Sequence, residues 1–129
     1  MNINSLIGTA LAPLALPVYA NFYEGTADEY IVFNYADERP ALRADDNDEL
    51  DETVIQVHYF TKTNPQSHKR NIRKYMRAAG FTIMSTSEFY ESDMKYFHVI
   101  IEAWIEGSND DGTVPSPAWS GLQKTWEQL

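Results

Sequence analysis

The sequence contains no cysteine, which removes disulfides and thiolate metal sites together and is compatible with a reducing compartment. Basic residues are scarce. Ten Lys and Arg stand against nineteen Asp and Glu, for a net charge of −9. Nonspecific binding to duplex DNA needs a dominating positive field, so it is set aside as the main task. The acidic balance fits a soluble protein, an assembly that must not adhere to DNA, or a mimic of DNA. No basic residue precedes Arg39, so the apolar stretch Leu6–Ala20 lacks the positive start of a secretory signal, although Val18-Tyr19-Ala20 resembles a cleavage site. Gly8, Pro13 and Pro17 interrupt that stretch, and it is too short to cross a bilayer. A docked N-terminal helix and no membrane partner are expected.

Motifs that announce chemistry are missing too. There is no His-x-x-x-His, no Gly-rich phosphate loop and no Gly-x-Ser-x-Gly elbow. His58 and His98 fall on expected strands and could approach one another across an antiparallel pair, but a metal would still need a third ligand. They are taken as sheet-face histidines. Carboxylates are plentiful but concentrated in one loop, whereas acid–base work needs a desolvated carboxyl group. No catalytic, cofactor-binding or metal-ligating residue is therefore assigned.

What is present is a chain of 129 residues, 43% hydrophobic and 13% aromatic, enough to fold as one domain around a packed core. It is organised around Thr53–Ser87, which holds no Asp or Glu and six of the ten basic residues: Lys62, Lys69, Arg70, Arg73, Lys74 and Arg77. The strand Val54–Phe60 opens the segment. A helix follows in which Ile72, Tyr75, Met76 and Ala79 share one face while Arg70, Arg73, Lys74 and Arg77 occupy the other. Ser67 suits its N-cap, and Gly80 its left-handed terminator.

Before that segment, Asn4 or Ser5 can cap a short helix with Leu6, Ala10 and Leu14 along one side, closed by Pro13 and Pro17. Val18–Tyr23 continues extended, and Tyr30–Tyr35 reads as a strand that pairs antiparallel with Val54–Phe60. Between them Ala36–Glu52 reads as a solvated loop in which Asp45, Asp46, Asp48, Glu49, Asp51 and Glu52 repel one another. An EF-hand is excluded there because Leu50 sits where the sharp turn requires Gly. Phe81–Phe89 and Tyr96–Ile105 form a second hairpin turned at Glu91-Ser92-Asp93. Along its last strand Phe97, Val99, Ile101, Ala103 and Ile105 alternate with His98, Ile100, Glu102 and Trp104, so one face is core and the other mixed.

The fold expected is α+β: a mainly antiparallel sheet of about four strands, a central amphipathic helix packed on one face, and short N- and C-terminal helices. Residues 1–106 form the domain, and 107–129 form a linker and C-terminal docking segment, with Trp119, Leu122, Trp126 and Leu129 at helical spacing after Ser116-Pro117. That segment docks on its own domain or on a neighbouring chain. The cationic helix face is open to three readings: solvated, set against an acidic protein surface, or touching nucleic acid. An acidic surface is available within the chain, and a loop-to-helix contact between copies would be head-to-tail, closing a ring or running on as a filament.

The order of elements resembles the tail terminator proteins of long-tailed bacteriophages, also called tail completion or tail-to-head joining proteins. The likeness spans about Asn4–Glu106. It is carried by the helix ending near Leu16-Pro17-Val18-Tyr19, the Tyr-Ile-Val-Phe strand, the acidic loop, the Val-Ile-Gln-Val-His-Tyr-Phe strand, the Lys/Arg helix closed by Ala79-Gly80-Phe81, and the Phe-His-Val-Ile-Ile-Glu-Ala-Trp strand. The resemblance implies a structural, non-enzymatic subunit of a ring, a hexamer, in the virion at the head-proximal end of the tail, assembled in the host cytoplasm. Such a ring caps the tail tube protein, stops its polymerisation and meets the head–tail connector, while DNA only passes through the lumen. Arg70, Arg73, Lys74, Arg77 and Asp45, Asp46, Asp48, Glu49, Asp51 and Glu52 are the candidate contacts, with Trp119 and Trp126 as a second tier. A head-completion (stopper) or tail tube protein is the neighbouring alternative. An acidic DNA-mimic module inhibiting a DNA-handling enzyme is the alternative from another class.

Overall fold

The computed structural model of the protein describes residues 2–40 and 51–107. The first helix, α1 (Ile3–Leu11), starts at Asn2, whose Oδ1 accepts from the Ser5 N–H at 3.0 Å. Neither Asn4 nor Ser5 is the cap. The buried side is correspondingly shifted: Ile3, Ile7 and Leu11, four residues apart, are fully buried, and Leu14 lies in the 3₁₀ turn Ala12–Leu14 that follows. This stripe hides more aliphatic surface than Leu6 and Ala10 would, which decides the orientation. Asn4 instead accepts a hydrogen bond from the Tyr35 hydroxyl at 2.8 Å, tying the helix to the sheet.

The sheet has five strands, one more than expected, in the order β1 (Val18–Ala20), β2 (Glu29–Pro40), β3 (Asp51–Thr61), β5 (Tyr96–Glu106), β4 (Thr82–Glu91). The extra strand, β1, runs parallel to β2 over three residues, too short to show a periodicity. The remaining pairs are antiparallel, as expected. Both β3 and β4 run against β5, so they are parallel to each other, and α2 (Gln66–Ala78) is the crossover that parallel strands require.

The ladder between β2 and β3 reaches Arg39↔Glu52 and Pro40↔Asp51, so the connection is shorter than the expected Ala36–Glu52 loop. Repulsion between charged side chains does not prevent backbone pairing between the two strands. Ala36 is passed over by a register shift between Tyr35 and Asp37. Asp45, Asp46, Asp48 and Glu49 lie outside the described residues, as do the expected linker from 108 onward and Trp119 and Trp126.

In α2, Ile72 and Met76 are fully buried, with Tyr75 and Ala79 packed beside them, as the spacing implies. Ser67 is not the cap. Pro65 occupies that position without a side-chain bond, and Asn64 Oδ1 accepts from the Gln66 N–H at 2.9 Å. Gly80 does terminate the helix, with φ at 109°.

Both helices lie on one side of the sheet. The core joins Ile3, Ile7, Leu11, Ile72 and Met76 to Ile31 and Phe33 of β2, Ile55, Val57 and Tyr59 of β3, and Val99, Ile101, Ala103 and Ile105 of β5. The other sheet face is built from the alternate residues of the same strands and carries no helix among the described residues.

Candidate interaction surfaces

Three surfaces remain once the core is closed. The first is the cationic side of α2. Lys69 Nζ reaches Glu88 Oε1 of β4 at 2.8 Å, and Arg73 lies half-buried with its guanidinium 3.5 Å from Thr86 Oγ1. The Lys69 ammonium, by bonding to Glu88, holds that carboxyl below its ordinary range. Lys74 lies over the Tyr75 ring at 5.8 Å. Arg70 and Arg77 are exposed and form no ion pair among the described residues. The side expected to be one cationic surface is therefore divided: Lys69 and Arg73 hold the helix to β4, while Arg70, Lys74 and Arg77 project outward.

Gly80 sits against Ile105, and Glu52 pairs with Glu106, so the Arg77 end of α2 and the connection between β2 and β3 leave the sheet at the same end. Of the expected acidic partners, Glu52 is half-buried and Asp51 begins β3. Thr53, beside them, donates from Oγ1 to the Gly107 carbonyl at 2.8 Å and fixes where β5 ends.

The second surface is the outer edge of β4, ten residues with no neighbouring strand on that side among the described residues. It carries Phe89 at 51% and Tyr90 at 55% exposure, with Met84 at 45% at a bulge and Met94 at 61% at the hairpin tip. A long edge with unpaired backbone groups and exposed apolar side chains is a template for a further strand or chain. Sequence reasoning assigned this strand but not its position, because strand order is set by tertiary packing.

The third surface lies on the helix-free face. Pairing aligns Tyr30, Phe60, His98 and Phe89 in one row, and Val32, His58 and Ile100 in the next. The rings stand against one another: Tyr23 and Tyr30 stack at 4.4 Å, Tyr30 and Phe60 at 4.7 Å, Phe60 and His98 at 4.2 Å. Beside this row the segment after β1 folds over the sheet. Tyr96 donates its hydroxyl to the Ala27 carbonyl at 2.9 Å, Lys62 reaches Asp28 at 3.7 Å, and the Ala27 N–H donates to the Tyr23 hydroxyl at 3.2 Å. A side chain at Gly25 would collide with the Tyr23 ring. Between this segment and the sheet lies a concavity of about 370 Å³, lined by Asn21, Phe22, Tyr23, Tyr30, Val32, Asn34, His58, Phe60 and His98.

Its floor holds a hydrogen-bonded row. His58 Nε2 lies 3.0 Å from Asn34 Oδ1, His58 Nδ1 lies 2.8 Å from His98 Nε2, and His98 Nδ1 lies 2.9 Å from Glu91 Oε2. With Oδ1 facing His58 and Glu91 ionised, every contact has a donor only when the two rings hold three ring protons between them, the extra one on the nitrogen of either ring at the His58–His98 contact. Turning the Asn34 amide so that its NH₂ donates requires one proton fewer. The row can thus hold or release a single proton. Burial, and then the neighbouring His98, pushes His58 below its ordinary value of 6.5.

At the near end of the sheet, on the helix side, Tyr59 and Thr61 donate to Glu29 Oε2 at 2.7 and 3.2 Å. Burial and that carboxylate hold the Tyr59 phenol protonated far above its usual range. His68 lies 3.8 Å from the same oxygen and edge-on to the Tyr59 ring. It does not join His58 and His98, and among the described residues no three His, Asp or Glu converge as a metal site. No helix among them is long and apolar enough to cross a membrane.

A scan of protein-family models finds no family that matches the chain, and a search of curated proteins finds no matching sequence.

Proposed function

We propose that this chain is a structural protein of a long-tailed bacteriophage: the subunit of a ring that caps the tail tube, ends its polymerisation and joins it to the head connector. The observation that carries this is the one-sided build of the sheet. Helices cover one face, while the other face and the β4 edge expose Phe89, Tyr90 and an aromatic concavity. Such a surface suits a part that is finished by neighbours. The element order of a tail terminator supports the same conclusion.

Ring closure needs a heterologous contact, and Arg70, Lys74 and Arg77 supply one half of it. Asp45, Asp46, Asp48, Glu49, Asp51 and Glu52 of the next copy supply the other. The Arg77 end of α2 and the strand ends Pro40 and Asp51 share one end of the sheet, which suits a sideways contact of the kind neighbours in a ring make. The acidic remainder of the subunit would repel DNA in transit through the lumen.

Electron microscopy of particles made without the protein tests the proposal: tails of uncontrolled length, unattached to heads, are expected. Normal tails would refute it. Arg70→Glu with Arg77→Glu should leave the subunit folded and lower its mass in solution to that of a monomer. Unlimited polymerisation of the purified protein would point to a tube protein instead.

A further inference from the structure

Sheet edges are ordinarily guarded by lysine, proline or outward charge, and β4 carries none of these guards. Its residues Thr82–Glu91 include neither Lys nor Pro. Its two carboxylates are turned back onto the protein, Glu88 to the Lys69 ammonium and Glu91 to the His98 ring. A bulge lies between Ile83 and Ser85, and from Ser85 to Glu91 the strand pairs residue by residue with β5. Along that straight run the outer backbone groups have no strand beside them among the described residues.

The helix α2 lays cations along this edge at the spacing of a strand. It runs antiparallel to β4: Gln66 and Lys69 meet Glu88, and one turn further Arg73 meets Thr86. Four helical residues rise about 6 Å and two strand residues about 6.6 Å, so the periods stay in step and the next turn brings Arg77 level with Met84. At 3.6 residues per turn, Arg70 and Arg77 share the flank of Lys69 and Arg73, rotated farther from the sheet. Both are exposed and form no ion pair among the described residues. On the opposite face of the same strand Ser85, Ser87 and Phe89 alternate, with the Phe89 ring half exposed. A strand laid against β4 would have every second side chain under guanidinium groups and the others beside Phe89.

We propose that the β4 edge binds an extended segment of another protein in which acidic and apolar residues alternate. Its backbone continues the sheet, its carboxylates lie under Arg70, Arg73 and Arg77, and its apolar side chains lie against Phe89. In such an addition main-chain hydrogen bonds supply affinity and alternate side chains supply selectivity. A second copy fits less well. Its β4 brings no free carboxylate, since Glu88 and Glu91 are engaged, and antiparallel pairing would set one cationic row against another. The opposite edge of the sheet, β1, is only three residues long.

The test titrates the full chain into a fluorescein-labelled octapeptide of alternating Glu and Val and follows its polarisation. Saturable binding is expected, weakening as salt rises. Arg73→Glu and, separately, Arg77→Glu should each weaken it about tenfold or more, because a charge-assisted hydrogen bond is replaced by repulsion. Phe89→Ser should weaken it through the other face; circular dichroism checks that each variant is folded. Only every second N–H of a strand faces a given neighbour, so methylating the Glu nitrogens and methylating the Val nitrogens should differ, one abolishing binding and the other sparing it. Amides within Ser85–Glu91 should exchange more slowly with peptide present. No binding, indifference to both Arg variants, or equal binding of the two methylated peptides overturns the proposal. So does protection of those amides that rises with protein concentration in the absence of peptide, which would assign the edge to a second copy. Subunit mass, measured alongside, separates this from the ring: a monomer that binds the peptide defeats only the ring, and a ring that ignores it defeats only the edge.

Discussion

The two faces of one sheet are built from alternate residues of the same strands, yet they follow different rules. On the helix side β3 and β5 contribute Ile55, Val57, Ile101 and Ala103, all fully buried aliphatic groups that need only shape. On the other side the same strands contribute Gln56, His58, Phe60, His98 and Glu102, whose placement depends on hydrogen bonds and ring geometry. The first face spends its specificity on folding. Among the described residues the second leaves apolar side chains such as Phe89 exposed, which suits a surface that is covered by something else.

The sharpest way to break this comparison is to truncate one residue on each face. Met76→Ala, or Ile101→Ala, empties a site with no exposure and should cost about 2–5 kcal/mol of unfolding free energy. Ile100→Ala, one residue along β5 but on the half-buried face, should cost about 1 kcal/mol or less. Denaturant midpoints of the purified variants measure both. Equal losses would mean that the second face is as much a core as the first.

The same contrast explains how much was legible beforehand. Alternation in β5 and the four-residue spacing of Ile72 and Met76 reveal the core face, because aliphatic burial leaves a periodic trace. The second face leaves none. Phe60, His98 and Tyr30 become a ladder only through strand order and register, and Phe22 and Tyr23 join it through the chain's return after β1. The approach of His58 to His98 could be anticipated from antiparallel pairing, but not the partners Asn34 and Glu91. The cationic stripe was legible as a stripe. That Lys69 and Arg73 are engaged by β4 depends on where an edge strand lies, which local sequence does not encode.

Acid separates the faces in a second way. His58 has its proton affinity lowered by burial and by His98, so the unfolded chain binds more protons than the folded one as pH falls below the ordinary histidine value of 6.5. The contribution of this site to stability is complete above that value and is lost as pH drops through the lowered one. Unfolding midpoints should therefore decline with acidification in this window, and His58→Gln should flatten the decline. Asn34→Asp should shrink the decline, because a carboxylate beside His58 favours its charged form and brings its proton affinity back toward that of the unfolded chain. An unchanged slope in His58→Gln would place the titration elsewhere.

The smallest effects are expected on α2, where one helix carries engaged and free cations only a few residues apart. Lys69→Ala removes an exposed pair with Glu88, and pairs of that kind are worth roughly 0.2–1 kcal/mol, less at high salt. Arg70→Ala, one residue away and unpaired among the described residues, should leave the unfolding midpoint within about 0.5 kcal/mol of the starting protein. In the ring assay the order should invert. Lys69→Ala keeps the outward charges and should assemble, whereas Arg70→Ala with Arg77→Ala removes two of the three and should shift the monomer–ring balance toward monomer, most visibly at low ionic strength. If the two variants assemble alike, α2 serves only to hold β4 and takes no part in the proposed ring contact.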